Sequence, residues 1–375
     1  MGAWLAKVNN NFKMKWKELT TKQSLLLLIA VKVIGVAFAT LVFARFSPLI
    51  DSELYIKGFY FQDQFFRTRA IQWIASVPNK IGGAYFAHLT FALISVLGLF
   101  YYFVTGGRRW TLVLTLLLPS TLVWTSIVGK EAIFVGGMGL SLVVWSKYTV
   151  RPLDRLDVVV AALAFGVCAV LRPHYAVAIA WIFVAVMLLK RWNKMAYPIL
   201  AGLLIVGVLT FYLFVWENLL YRGYGAIEYT ARASRYLELG ILPNTSAGFE
   251  KFKSWMPLAV LVGIVGPFPS EVWRRIEFLP FFLEGVLILL SPVFIVFWVM
   301  RGKLQKRREF FQAFCWCLVP AILMLMVLHA PFGILNPGSA TRWRTDFEQV
   351  FYLAPLLLMY RHMDDAHTKN HSLPP

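Results

Sequence analysis

The sequence predicts an all-α fold: a bundle of membrane-spanning helices that forms a single transmembrane domain over residues 1–375. Of these 375 residues, 59% are hydrophobic and only 15% are charged, whereas a soluble domain is roughly half apolar and a quarter charged. Apolar runs close to the ~20 residues that cross a bilayer core recur along most of the chain. We therefore expect about ten spans, at 24–44, 82–104, 111–128, 132–146, 158–171, 175–189, 196–215, 279–300, 311–330 and 347–360.

The basic residues predict how these spans are oriented. Lys and Arg concentrate in short cytoplasmic loops, and the formal net charge of +18 is explained in this way without nucleic acid as a partner. If the basic leader 1–23 is cytoplasmic, every short basic loop also falls inside, and so does the tail 361–375. These loops contain Arg108 and Arg109, Lys147 to Arg155, Lys190 to Lys194, and Arg301 to Arg308.

One weaker apolar run, 257–269, does not fit the alternation of inside and outside loops. It is shorter than a full span and contains Gly263, Gly266, Pro267 and Pro269, which favours a re-entrant or interfacial segment. The charge rule holds only if this run enters and leaves on the same side of the membrane. The outer face then has three substantial segments, 46–81, 216–278 and 331–346.

Two outer hairpin tips carry charges that are expected to lie below the membrane surface. Runs 132–146 and 158–171 cover only roughly 21–23 Å as helices, so the tips Gly129-Lys130-Glu131 and Arg172-Pro173-His174 would be recessed. Charges at such a depth usually face a wet cavity or one another. Lys130, Arg172 and His174 are therefore candidates for binding a phosphate group, while snorkelling and turn capping remain the alternative.

The first outer segment supplies candidate acids. Asp51 and Glu53 follow the first span directly, with Tyr55 close behind, and run 59–75 alternates apolar and charged residues in the manner of an interfacial helix. A carboxylate held over the mouth of the bundle can remove the proton of an attacking hydroxyl group. A solvated turn with helix-capping acids is the other interpretation.

A late outer segment supplies candidate cations. Arg342 and Arg344 lie in the run 336–346 ahead of the last span. Two guanidinium groups at a helix entrance would suit a diphosphate, although Arg and Trp in this position also serve as interfacial anchors.

Segment 216–256 supplies candidate sugar-binding residues. Tyrosine rings stack on sugars while their hydroxyl groups form hydrogen bonds, and arginines on the same helical face would add donors. Ordinary loop packing is the alternative. The predicted acceptor site consists of Tyr55, Arg232, Arg235 and Tyr236.

These features together resemble bacterial membrane glycosyltransferases of the GT-C type, over roughly residues 24–180 and 336–360. The shared features are the acidic first loop, the acidic hairpin that ends at Glu131, and the arginines before the last span. The resemblance implies a GT-C-like bundle in the bacterial inner membrane, with Asp51 as base and Glu131 as a second catalytic acid. It also implies a sugar donor linked to polyprenyl phosphate or diphosphate, a glycan or lipid acceptor, and surrounding membrane lipids.

The sequence departs from that family in reading Asp51-Ser52-Glu53 where many relatives have adjacent Asp and Glu. Because of this departure, the identity of the base and the need for a divalent metal ion stay open. A polysaccharide polymerase of the Wzy type also joins lipid-linked sugars on the outer face and is the closest alternative. A lipid-linked glycan flippase or transporter is the second alternative, although it would need charges through the depth of the bundle.

The predicted topology can be tested with reporter fusions. A reporter fused after Lys194 should read cytoplasmic, and one inserted near Asn244 should read outside, because the basic loops fix the orientation. An outside signal for a reporter at Arg307 would contradict the assignment of 257–269 as a single re-entrant or interfacial segment.

Overall fold

The computed structural model describes residues 19–47, 49–58, 66–225, 235–302, 307–334 and 336–371. All regular secondary structure in these residues is helical, which confirms the all-α prediction. The α-helices are α1 (Thr21–Ala37), α2 (Ile50–Lys57), α3 (Phe66–Ser95), α4 (Leu97–Val104), α5 (Pro119–Trp124), α6 (Lys130–Val150), α7 (Arg155–Leu171), α8 (Pro173–Trp192), α9 (Ala196–Thr210), α10 (Trp216–Gly225), α11 (Arg235–Glu238), α12 (Ser246–Ser254), α13 (Met256–Val265), α14 (Pro269–Arg274), α15 (Leu279–Arg301), α16 (Arg307–Ala313), α17 (Val319–Gly333), α18 (Pro337–Thr345) and α19 (Gln349–His371).

Several of these helices are long and apolar enough to cross a membrane. Within the described residues there are five such stretches, or six if the pair α3 and α4, bent by 54°, is counted as one span. The chain therefore has the helices of a membrane protein, while the number of ten spans stays a prediction. The five stretches are Thr21–Arg45, Lys130–Val150, Pro173–Gly225, Ile276–Arg301 and Arg307–Gly333.

Two predicted spans, 111–128 and 347–360, and the predicted re-entrant or interfacial run 257–269 differ from long apolar helices, each for a local reason. Run 111–128 is divided into a 3-10 helix, Trp110–Leu117, and the short helix α5, because Pro119 begins a new helix. Run 347–360 belongs to α19, whose C-terminal half is polar. Run 257–269 contains α13, a helix of 10 residues, which is too short for a full span of ~20 residues.

The predicted interfacial helix at 59–75 lies partly outside the described residues. From Phe66 onward it is continuous with α3, which runs through Pro78 to Ser95. A break occurs inside this stretch at Gly83, where φ is 77°, a left-handed conformation that glycine adopts without a steric cost.

Helix α6 is the central helix of the bundle and packs against α3, α4, α7 and α19. Its glycines allow this close approach. A Cβ atom at Gly136 would lie 2.3 Å from the carbonyl oxygen of Ile94 in α3, and one at Gly137 would lie 3.1 Å from the carbonyl oxygen of Ala164 in α7. The close packing expected of such glycines in a membrane bundle is confirmed.

Helix α6 is also longer than predicted. It has 21 residues and includes Lys130 at one end and Lys147 near the other, which gives a length of about 31 Å. The prediction that this helix is too short for a span was therefore wrong. Lys147 is buried within the helix because it forms an ion pair with Asp157 of α7, and a paired charge is tolerated there.

A glycine substitution tests the packing of α4 on α6. A Cβ atom at Gly98 would lie 2.3 Å from the carbonyl carbon of Gly139, so Gly98→Ala should destabilise the protein by ~1–3 kcal/mol through overpacking. The measurement is thermal unfolding in detergent. Gly202→Ala is the matched control, because a Cβ atom at Gly202 meets no atom within 4 Å. Equal unfolding temperatures for both variants would contradict this packing.

Candidate functional site

A cavity of about 1320 Å³ lies where α2, α6, α14 and α18 meet. Its lining is partly apolar and partly charged. The apolar part is held together by Phe43, whose ring lies 5.6 Å from that of Trp124 and 5.8 Å from that of Phe281. Other apolar lining residues include Phe38, Val42, Leu117 and Leu122, and the charged ones are Asp51, Lys130, Glu131, Arg172, Arg235, Glu238, Glu271, Arg274, Arg275, Glu277 and Arg342.

The charged part contains a chain of five alternating charges. Arg342 forms an ion pair with Asp51, and its Nε atom donates to Oε1 of Glu131 at 2.9 Å. The same Oε1 atom accepts from Nη2 of Arg172 at 3.2 Å. Arg172 Nε lies 3.1 Å from Oδ2 of Asp346. The chain runs inward, since the side chain of Asp51 is 50% exposed and that of Asp346 is fully buried.

Local structure positions Asp51 and Glu131, two of the carboxylates that line the cavity. Asp51 is in the first turn of α2, and this helix is attached to the bundle because the Ser52 hydroxyl group donates to the carbonyl oxygen of Val128. The Val128 N–H group donates in turn to Nδ1 of His88 at 3.0 Å. Glu131 lies in the first turn of α6, where the helix dipole favours a carboxylate.

Arg342 and Arg344 point to opposite sides of α18. Side chains two residues apart on an α-helix are separated by about 200°, so Arg342 lines the cavity while Arg344 is fully buried behind it. Both arginines lie in the last turn of this helix. The predicted helix entrance was therefore wrong, because α18 begins at Pro337 and the following helix begins only at Gln349.

Arg344 is bound on every side by protein groups. Its Nη2 atom lies 2.7 Å from Oε2 of Glu284, and its Nε atom lies 3.5 Å from Oε2 of Glu348. Nη2 also donates to the Ser120 hydroxyl group at 3.2 Å, and Nη1 donates to the carbonyl oxygen of Ile264 at 2.7 Å. A phosphate cannot reach this guanidinium group, which corrects the prediction that Arg344 forms part of a phosphate clamp.

The electrostatics of the chain keep Arg342 charged. Burial lowers the pKa of Arg342, but attraction to Glu131 and Asp51 outweighs burial and raises that pKa above its ordinary value. Burial raises the pKa of Asp346 above the usual range of a carboxyl group, against the lowering effect of Arg172. The buried carboxyl group of Asp346 therefore takes up a proton at a higher pH than a solvent-exposed aspartate does.

Lys130 and His174 have different environments. Lys130 lines the cavity and donates to the Thr68 hydroxyl group at 3.0 Å, with no carboxylate of the described residues in ion-pair contact. His174 does not line the cavity, and its ring lies 4.1 Å from that of Tyr175 and 6.2 Å from that of Phe332. The structure brings Lys130 together with Arg172 and Arg342 and leaves His174 in an aromatic contact.

Glu53 is directed away from the cavity, although Tyr55 of the same helix lines it. The Glu53 carboxylate is exposed and lies 2.9 Å from Nζ of Lys57, one helical turn further along. Asp51 and Glu53 lie on opposite faces of α2, because side chains two residues apart on an α-helix are separated by about 200°. Glu53 therefore does not share the position over the bundle that the sequence predicted for both acids.

Of the predicted acceptor residues in segment 216–256, Arg235 has a packing role. It is fully buried, its Nε atom donates to Glu271 at 2.7 Å, and it donates to the carbonyl oxygens of Gly266 at 3.0 Å and Gly333 at 3.2 Å. These bonds fasten α11 to the ends of α13 and α17. Arg232 lies outside the described residues, and so does the side chain of Tyr236.

The sequence interpretation missed several site residues. Asp346, Glu348, Glu284 and the charged cavity residues between positions 271 and 277 are not among the predicted site residues. One signal was present: Arg344 and Glu348 have the i, i+4 spacing of a helical ion pair, which the structure contains. No comparable signal links Asp346 with Arg172, because their proximity arises only from the fold.

The need for a divalent metal ion was left open by the sequence, and the described residues were compared with the requirements of a metal site with several protein ligands. They contain no group of three or more His, Cys, Asp or Glu side chains that could hold a metal ion. The carboxylates of the cavity are paired with arginines instead.

Comparison of the chain with protein families, with characterised proteins and with solved structures finds no match in any of the three. The chemistry of the site therefore rests on its own geometry.

Substitution of the two α18 arginines tests their different positions. Arg344→Met should lower the free energy of unfolding by about 3–5 kcal/mol, because it leaves the buried carboxylates of Glu284 and Glu348 without a cationic partner. Arg342→Met should cost much less, since Glu131 keeps Arg172 as a partner. Thermal unfolding in detergent measures both, and a larger loss for Arg342→Met would contradict this placement.

Proposed function

We propose that the protein is a glycosyltransferase of the bacterial inner membrane. It transfers a sugar from a polyprenyl-phosphate-linked donor to a glycan or lipid acceptor on the outer face during the synthesis of cell-surface polysaccharide. Both termini are cytoplasmic in this proposal, which places the cavity at the outer end of the bundle. The resemblance of the sequence to GT-C-type transferases agrees with it.

One observation carries the proposal: the cavity combines an apolar lining with a carboxylate and guanidinium pair. Asp51 and Arg342 are in contact with each other, and the apolar residues Phe38 and Val42 of the same cavity are 37% and 43% exposed. A lipid-linked sugar likewise has an apolar part and a charged part, since an isoprenoid chain adjoins a charged phosphate and a polar ring. Apolar lining with a few placed polar groups is also the common composition of ligand sites.

In the proposed reaction, an acceptor hydroxyl oxygen forms a bond to the anomeric carbon of the donor sugar. The bond between that carbon and the phosphate oxygen breaks, and its electron pair leaves with the lipid phosphate. Asp51 takes the proton of the acceptor hydroxyl group as general base. Arg342 and Lys130 stabilise the negative charge that develops on the phosphate.

The ion pair between Asp51 and Arg342 gives the base a resting state. While Asp51 is paired with Arg342, its Oδ2 atom is occupied by the guanidinium group. A phosphate that binds Arg342 competes with Asp51 for the guanidinium donors and releases the carboxylate. Glu131 holds the Nε atom of Arg342 at 2.9 Å, so the guanidinium group stays in place during this exchange.

An isosteric substitution of Asp51 tests the proposed base. Asp51→Asn should lower sugar transfer by about 10²–10⁴-fold, because an amide cannot accept the proton, while the folded yield stays normal for a half-exposed residue. The measurement is the transfer of radiolabelled sugar from a lipid-linked donor by purified protein.

Glu53→Gln is the matched control, since it changes a neighbouring acid that is directed away from the cavity. Near-normal turnover in Asp51→Asn would remove Asp51 as the base. If Glu53→Gln were inactive instead, the base would have to be assigned to the other face of α2.

Product analysis in the same assay separates the transferase from a polymerase. A single added sugar supports the transferase, whereas a ladder of repeat units indicates a polymerase that uses the same cavity.

A lipid-linked glycan flippase is a second candidate, and a buried polar network favours it. Lys32 in α1 donates to the Thr125 hydroxyl group, and Thr121 on the neighbouring turn donates to Glu348, which pairs with Arg344. Charges through the depth of a bundle are typical of transporters. Translocation of a fluorescent lipid-linked sugar in proteoliposomes, without a covalent product, would support this function over transfer.

A further inference from the structure

A second, smaller pocket lies where α10 and α12 meet, and its volume is about 350 Å³. This volume is at the lower end of the range for ligand cavities, ~300–1,000 Å³. The pocket has aromatic and uncharged polar lining with a single charged side chain. The lining residues are Tyr221, Tyr224, Asn244, Thr245, Ser246, Phe249 and Glu250.

The aromatic side of this pocket is preformed. The ring of Tyr221 is stacked on that of Phe249, with centroids 4.2 Å apart and planes inclined by 13°. Phe249 is buried, whereas Tyr221 is 55% exposed. One face of the Tyr221 ring packs against Phe249, and the opposite face is accessible to a ligand.

The polar side of the pocket is held in place by Tyr224. Its hydroxyl group donates to the carbonyl oxygen of Leu242 and accepts from the Thr245 N–H group at 3.0 Å. Between these two residues, Asn244 has a left-handed conformation with φ of 58°. The side chains of Asn244 and Ser246 are exposed and make no hydrogen bond with any described residue, so their donors and acceptors are available to a ligand.

We infer that this pocket binds an uncharged saccharide of one or two rings. A sugar ring presents C–H groups on its faces and hydroxyl groups on its edge, which suits a flat aromatic ring beside an amide, a hydroxyl and a carboxylate. Glu250, the charged side chain of the pocket, is itself paired with Lys253 at 2.5 Å, and no cation of the described residues lines the pocket to bind an anionic sugar. A buried hydrocarbon ligand does not fit, because three polar side chains would lose water without gaining hydrogen bonds.

The pocket is connected to the large cavity by a short segment of chain. Glu238 lines the large cavity and Asn244 lines the small pocket. Between them, the carbonyl oxygen of Leu239 accepts from Nε1 of Trp255 at 3.2 Å, so the segment follows the surface of α12 and α13. A role for the small pocket as a subsite for the acceptor glycan rests on the proposed function, whereas saccharide binding itself does not.

Saturation-transfer NMR on the full chain in nanodiscs tests the inference with cellotriose, chitotriose and, as an anionic probe of equal length, trigalacturonate. We expect saturation of at least one neutral trisaccharide and little of trigalacturonate. Tyr221→Ala should weaken that binding roughly two- to tenfold, the size of a lost aromatic contact. Asn244→Gly, which preserves the left-handed backbone, should weaken it as well.

Tyr212→Ala is the matched control, because Tyr212 is an exposed tyrosine of the same helical stretch that does not line the pocket. It should bind the sugars as the wild type does. Equal affinity in Tyr221→Ala, no saturation of either neutral sugar, or preference for trigalacturonate would overturn the inference. Binding measured without a donor separates this outcome from a failure of the proposed transferase activity, which only the transfer assay reports.

Discussion

The buried guanidinium group of Arg344 is the interaction on which the site depends. A charge without access to water must be neutralised and its donors must be bonded, and here the partners come from distant parts of the chain: Ser120 of α5, Ile264 of α13 and Glu284 of α15. These helices have to meet at one point. Gly285 of α15 allows the close approach of Arg344, since a Cβ atom at this position would lie 2.5 Å from Nη1 of Arg344. The helices that carry the lining residues Pro119, Phe281 and Thr341 are therefore held together by one charge and its partners.

The geometry of α18 links the buried Arg344 to the side of the helix that faces the cavity. Arg344 fixes one side of the helix, so the opposite side, two residues earlier, must hold Arg342 toward the cavity. Glu131 then aligns Arg342 and Arg172 through a single oxygen atom. A carboxylate at the first turn of a helix is itself restrained by the helix dipole. Two guanidinium groups are thereby oriented by a protein side chain before a ligand binds, which is the preorganisation that stabilisation of a developing charge requires.

The sequence predicts the class of fold and part of the site, and the limits of prediction have physical causes. Hydropathy identifies the helices because lipid is their solvent, and the charges of Lys130, Glu131 and Arg172 are recognisable from their positions between apolar runs. The side of α18 on which the Arg344 side chain lies is not recognisable from the sequence. It follows only once the helix is known to begin at Pro337. The pair of Asp346 and Arg172 is also inaccessible to sequence reasoning, since nothing local links residues so far apart. Breaks such as Pro119 and Gly83 likewise depend on packing as well as on hydropathy.

The balance of charge in the cavity constrains what can bind there. Six cationic and five carboxylate side chains line it, and every cation except Lys130 has a carboxylate partner among the described residues. A multiply charged anion would have to displace several of these pairs, at the cost of leaving carboxylates in a poorly solvated place. A ligand with one negative charge can contact Lys130 without displacing an ion pair and has to displace only one carboxylate to bind Arg342. The most exposed carboxylate in the chain of five charges is Asp51. In the proposed reaction, the step that binds the phosphate is for this reason the same step that releases the base, so Asp51 becomes reactive only when the donor is present.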